Sequence, residues 1–157
     1  MDLVQQINRI LEEKKGLIGA TDLIIFESTN GFILGSTAPG EKVDLESLGS
    51  LTSGALTAID MLSSLFAGGK IGYLALETAE ENMVFQRVEE NYFLLAVAPR
   101  TVRLGYLQMK LEKLVPLLRE PVAQFVEASA VRISDIDIDE IQASLDAQFD
   151  DLFKEDK

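Results

Sequence analysis

The segment Tyr92-Phe93-Leu94-Leu95-Ala96-Val97-Ala98 is apolar throughout. As a strand it presents apolar side chains to both faces of a sheet, so both faces must be covered. Thr21-Asp22-Leu23-Ile24-Ile25-Phe26-Glu27 has the same apolar centre. Two such strands require interior positions with helices on both sides, which narrows the fold class to a layered α/β (α+β) arrangement.

The remaining elements fall around these two. Ser28-Thr29-Asn30-Gly31 marks a hairpin, because Asn-Gly tolerates positive φ, and Phe32–Ser36 is the returning strand. Thr37–Val43, with Pro39-Gly40, reads as a loop. Ile71–Thr78 and Met83–Glu89 partly alternate and carry charge, so each has a half-exposed face. Asp2 caps a first helix with Leu3, Ile7, Ile10 and Leu11 on one face and Gly16 as its stop. A long second helix, Asp44–Phe66, turns Leu45, Leu48, Ala55, Leu56, Ile59, Leu62 and Phe66 inward and ends at Gly68-Gly69. Thr101 caps a third helix carrying Leu104, Leu107, Leu111 and Leu114, which Pro116 should kink or end. Short hairpin links make the five-stranded sheet mostly antiparallel. From Arg119 the pattern weakens, and Val122–Arg132 is ambiguous. A last helix, Asp137–Phe153, then carries a stripe of Ile138, Ile141, Leu145, Phe149 and Leu152 beside Asp146, Asp150 and Asp151.

What the chain lacks limits its chemistry. Its 157 residues include no His and no Cys. That removes disulfides, thiolate nucleophiles, Cys-based zinc sites and the commonest general base. Glu77, Glu80, Glu81, Glu89 and Glu90 lie at strand ends and turns, where acids are solvated rather than catalytic. Asp135, Asp137 and Asp139 have the opening spacing of a calcium loop. However, Glu140 and Asp146 stand where such a loop needs Gly and a bidentate Glu, so we read an Asp-rich helix start and no metal. Gly68-Gly69-Lys70 lacks the partner Gly and the following Ser or Thr of a phosphate loop, and no cofactor is expected. The formal charge of −12 argues against nucleic acid and anionic membranes, and fits a basic protein partner. The Met1–Gln6 start has no export signal, and no apolar run reaches the ~20 residues that span a bilayer, so a cytoplasmic protein is expected.

The second helix is the most informative element. Away from its apolar side lie Ser50, Ser53, Thr57 and Ser64, with Gly54, Ala58 and Met61 beside them. Between Ser47 and Ser64 only Asp60 is charged, where an ordinary exposed face carries Glu and Lys. Either this face is covered within the domain, or it is an interface with a second copy or another protein.

Over about Leu3–Leu118 the chain resembles the roadblock (dynein light chain) family. The resemblance rests on the element order, the Asn30-Gly31 hairpin, Asp44-Leu45 opening the long helix, the Gly54 region, and Tyr92–Ala98 leading into the third helix. The acidic–apolar final helix, with Asp150-Asp151-Leu152-Phe153, is similar to the tails of the family's bacterial MglB-type members. The resemblance implies a roadblock/profilin-like domain over 1–118, with strand order 2-1-5-4-3, and an acidic helical extension over 119–157. It implies a homodimer built by the second helix and the third strand, through Leu51, Leu65, Ile71, Tyr73 and Ala75. It further implies a small Ras-like GTPase of the MglA type as partner, bound on Ser50, Ser53, Gly54, Thr57, Ala58 and Met61. Ile141, Leu145, Phe149 and Leu152 of the tail would add contacts. Such proteins act as GTPase-activating proteins or exchange modulators in bacterial cell polarity and gliding motility, without catalytic residues of their own. The alternative is a small acidic dimeric scaffold or secretion-type chaperone; a carboxylate enzyme would need a closed pocket holding a perturbed acid.

Overall fold

A computed structural model describes residues 1–134 and 138–154, without the side chains of 132–134, 138 and 139. The Asp135 and Asp137 positions, the first residue of the expected last helix and the Ile138 side chain therefore lie outside the described residues. By its contacts the chain divides into two compact units, Met1–Phe125 and Val126–Lys157.

In the first unit α1 (Leu3–Ile18) leads into β1 (Asp22–Glu27) and β2 (Ile33–Ser36), then α2 (Leu45–Ser64). β3 (Tyr73–Glu77), β4 (Glu81–Glu89) and β5 (Tyr92–Pro99) follow, and α3 (Leu104–Ser134) begins here. Every strand pairing is antiparallel, in the order β2-β1-β5-β4-β3. The two apolar segments, β1 and β5, are therefore central neighbours, as their composition requires. Their side chains divide by parity. Leu23, Ile25, Leu94, Ala96 and Ala98 join α1 and α3 in one core. Ile24, Phe26, Phe93 and Leu95 join Leu56 of α2 in the other. Phe26 anchors this second core between a stacked Phe93 and an edge-on Phe85.

Several element ends differ from the sequence reading. Asp2 does cap α1, in a reciprocal box with Gln5. The stop is Gly19 at φ 82°, not Gly16, because the apolar face continues to the buried Ile18. The Ser28–Gly31 hairpin has positive φ at Gly31 alone, and a register shift between Ile25 and Phe26 absorbs its length. The Glu27 carboxylate accepts from the N–H groups of Thr29 and Asn30 and holds that turn. Asp44 caps α2, which stops at Ser64, ahead of Phe66. Thr101 lies too early to cap α3, which starts at Leu104 with the carbonyl of Arg103 accepting from Leu107.

Pro116 does not end α3, and neither does Pro121. Buried Leu111, Leu114, Val115, Leu118 and Val122 anchor the helix on both sides of Pro116. Pro116 itself is exposed, so water can satisfy the carbonyl that its missing N–H leaves open.

The second unit contains α4 (Ile138–Lys154). Ile141, Leu145, Phe149 and Leu152 are exposed on it, and the rings of Phe149 and Phe153 meet edge-on at 4.8 Å.

Candidate protein-binding face

The site is built on α2. Its inward side is set by the hairpin turn between β1 and β2, which packs directly on the helix. A Cβ on Gly49 would collide with the carbonyl of Gly31, and one on Gly31 would strike the backbone of Gly49. One turn further, the Ser53 hydroxyl lies 2.6 Å from the carbonyl oxygen of Ser28 and 3.0 Å from that of Thr29. The buried side of α2 thus comprises Gly49, Thr52, Ser53 and Leu56, with Leu45, Leu48, Ile59 and Asp60 half-buried.

This orientation redistributes the residues expected from the sequence. Ser53 is buried and serves the hairpin, so its hydroxyl faces inward. Ser50, Gly54, Thr57, Ala58 and Met61 are exposed together on the outer side. Leu62, Phe66 and Ala55, read as inward, also face outward, because the hairpin claims the opposite side of the helix. With Leu51 and Leu65 they make the outer face more apolar than the sequence reading allowed; Leu65 and Phe66 are almost four-fifths exposed. Gly54 has open space where a Cβ would stand.

The single charge of this stretch is turned away from that face. Asp60 accepts from the Ile71 N–H at 3.0 Å and pairs with Arg87 at 3.4 Å. Arg87 is itself mostly buried. Its Nε donates to the Ile71 carbonyl at 2.8 Å, its Nη1 to the Glu90 carbonyl, and its guanidinium lies 4.4 Å from the centre of the Phe93 ring. This network fixes the chain between α2 and β3. From Ser47 through Gly69 the one charged residue is Asp60, which is half-buried, engaged with Arg87 and open to the hollow that it lines beside Thr57 and Met61.

β3 is one of the two edge strands of the sheet, the other being β2. Tyr73, Ala75 and Leu76 are exposed on it, while Ile71 and Leu74 are half-buried against the α2-side core. Of the five residues expected at a self-association surface, Leu51 and Leu65 lie on the outer face of α2 and Ile71 packs toward the α2-side core, whereas Tyr73 and Ala75 share their face of β3 with Gln86 and Val84, the face opposite α2. A hollow of about 520 Å³ borders the helix, lined by Ser28, Thr29, Thr57, Met61, Lys70 and Asn91 among others. The acids Glu77 and Glu90 are exposed and paired with Arg100 and Lys70. Among the described residues no group of three acids could hold a metal.

No family model matches the chain, and no curated relative matches it. Solved structures do. Myxococcus xanthus MglB superposes with a TM-score of 0.71 at 20% identity, over 77% of this chain and 90% of that one. The gliding protein MglB from Thermus thermophilus gives 0.69 at 19% identity, over 78% and 92%. A Roadblock/LC7 domain from Streptomyces avermitilis gives 0.63 at 15% identity, over 74% and 97%. The chain has a roadblock fold. The form of that fold it adopts is close to that of MglB.

Proposed function

We propose that this protein is a non-enzymatic, homodimeric regulator of a small Ras-like GTPase of the MglA type. It acts in the cytoplasm as a GTPase-activating protein or exchange modulator, in the setting of bacterial cell polarity or gliding motility. The observation that carries the reading is the outer face of α2, apolar and poor in charge, in a domain whose edge strand β3 is also exposed. Apolar faces and unpaired edges of this kind are usually covered by another chain.

In this reading two copies pair through β3 and pack α2 on α2, using Leu51, Leu65, Ile71, Tyr73 and Ala75. Ser50, Gly54, Thr57, Ala58 and Met61 then form the GTPase platform, and Ser53 contributes by holding the hairpin beside it. The exposed stripe of Ile141, Leu145, Phe149 and Leu152 adds contacts to the partner. Such a regulator needs no catalytic group of its own. A slow GTPase gains rate when its mobile switch residues are held in a productive arrangement, which is a positioning effect.

The test is phosphate release and nucleotide exchange by an MglA-type GTPase with and without this protein, alongside light scattering of the protein alone. Dimer mass and a change in either rate are expected, and Gly54→Arg and Thr57→Arg should remove the rate effect while the fold persists. Monomer mass at micromolar concentration, with both rates unchanged, overturns the reading.

A further inference from the structure

The side of the sheet opposite α2 carries a second feature of different chemistry. The C-terminal turns of α1 and the early turns of α3 enclose a groove of about 180 Å³, lined by Lys14, Leu17, Ile18, Lys110, Lys113, Leu114 and Leu117. Ile18 and Leu114 are buried and form its floor. Leu17 and Leu117 are walls left open to solvent, at 68% and 49% exposure. Tyr106 and Met109 continue the exposed apolar strip along α3.

The charges around this groove run against those of the molecule. The chain carries 14 basic residues against 26 acidic ones, yet three lysines converge here. Among the described residues neither Lys14 nor Lys113 forms an ion pair. Lys110 lies over the Tyr106 ring at 5.4 Å. The acids nearest in sequence on α1 are engaged elsewhere, Glu13 with Arg9 and Glu12 with Lys15. Three ammonium groups around apolar walls are a recognition pattern, because each half complements one half of an acidic amphipathic segment.

We propose that this groove docks an acidic amphipathic helix of a partner protein. The helix would seat leucine-like side chains between Leu17 and Leu117 and place carboxylates on Lys14, Lys110 and Lys113. A groove between two helices suits a third helix laid along it, as in other helix-in-groove recognition. An anionic membrane would present the same charge. However, the site is concave and narrow, and the molecule around it is strongly negative and would be repelled from such a surface. The groove does not depend on the α2 face, so a partner bound here leaves that face free.

The test uses the full chain and a fluorescent synthetic peptide of about four helical turns, with leucines at i, i+3 and i+7 and glutamates between. A twin with lysines in place of the glutamates is the control. Anisotropy should give binding at least about tenfold tighter for the acidic peptide, weakening as salt rises. The K110E/K113E double variant should lose at least about tenfold of that affinity while its circular dichroism matches the parent. Leu17→Glu, at an exposed position that cannot disturb the core, should do the same if the double variant misfolds. Equal binding of the two peptides, no binding at hundreds of micromolar, or full binding by the variants overturns the proposal. So does lysine-dependent sedimentation with phosphatidylserine vesicles in the absence of peptide binding, which would assign the groove to lipid.

Discussion

Gly49 and Gly54 stand little more than one turn apart on α2, in opposite surroundings. Gly49 faces the hairpin turn with no room for a side chain, whereas Gly54 faces outward into open space. The inner side of the helix is small because the protein's own backbone approaches it. The outer side is small around Gly54, Ala55, Thr57 and Ala58 and otherwise carries exposed Leu51, Met61, Leu62 and Leu65, yet nothing in the first unit lies against it at Gly54. A residue type with a clear internal cause on one face has none on the other. That asymmetry is the physical argument for an external partner, since a merely solvated face would be expected to carry Lys and Glu.

The contrast can be broken most sharply at Gly49. Gly49→Ala places a methyl against the Gly31 carbonyl, where neither backbone can yield without shifting the hairpin or the helix. Overpacking of this kind costs ~3 kcal/mol. Urea denaturation should show a large drop in midpoint with an unchanged slope. A midpoint within error of the parent would mean that the hairpin does not rest on the helix as described.

A smaller effect is expected where the one charge of the helix is drawn inward. Arg87→Ala leaves the carbonyls of Ile71 and Glu90 and the carboxylate of Asp60 without their shared donor. Unpaired groups at a mostly buried site cost about 2 kcal/mol, and the link to β3 loosens with them. Hydrogen exchange should quicken first at Ile71 and along β3, because the Ile71 N–H depends on Asp60. Uniform exchange across the sheet would show that the network does not hold that edge.

Gly54→Ala should move stability the other way. With open space at its Cβ, alanine gains the roughly 0.5–1 kcal/mol that separates it from glycine in a helix. The gain is read as a higher denaturation midpoint in dilute protein. A fall of the size expected at Gly49 would mean that Gly54 is closely covered in the folded protein, and would remove the contrast between the two positions.

Which of these features could be read from the chain depends on how local their causes are. The central position of β1 and β5 was legible because successive apolar residues meet two cores by simple parity: Ile24 and Phe26 one way, Leu23 and Ile25 the other. The faces of α2 were not. The helix carries two apolar stripes, and Leu62 and Phe66 satisfy helical spacing as well as Leu56 does. What selects the inward stripe is the hairpin at Gly31, distant in sequence, with Ser53 binding the carbonyls of Ser28 and Thr29. A buried polar serine leaves no periodic signal. That Pro116 does not end α3 has a related reason: the local rule for proline is real, but buried leucines on both sides outweigh one lost hydrogen bond. The charge deficit around Gly54 was legible as composition, and the pairing of Asp60 with Arg87 was not, because its partner lies 27 residues away.

The smallest effect concerns the residue that caps α2, five positions before Gly49. Asp44 caps the helix, accepting from the Ser47 hydroxyl at 2.6 Å and from the Ser47 N–H at 3.2 Å. The hydroxyl bond is the larger cause that holds its carboxyl below the ordinary value of 3.8, with the backbone bond next. A carboxyl with a folded value below its unfolded value binds fewer protons when folded. Its contribution is therefore fully present above 3.8 and is lost as pH falls through the folded value. Asp44→Asn keeps a capping side chain but removes the titration. The stability difference between parent and variant should thus be flat from neutral pH down to about 5, then shrink below about 4. The other carboxylates titrate in both proteins and cancel in that difference, provided they are distant from position 44. A Ser47→Ala variant should show part of that loss, since it removes the hydroxyl, the first cause, and keeps the backbone N–H, the second. If the difference stays constant down to about pH 3, the cap is not charged through Ser47.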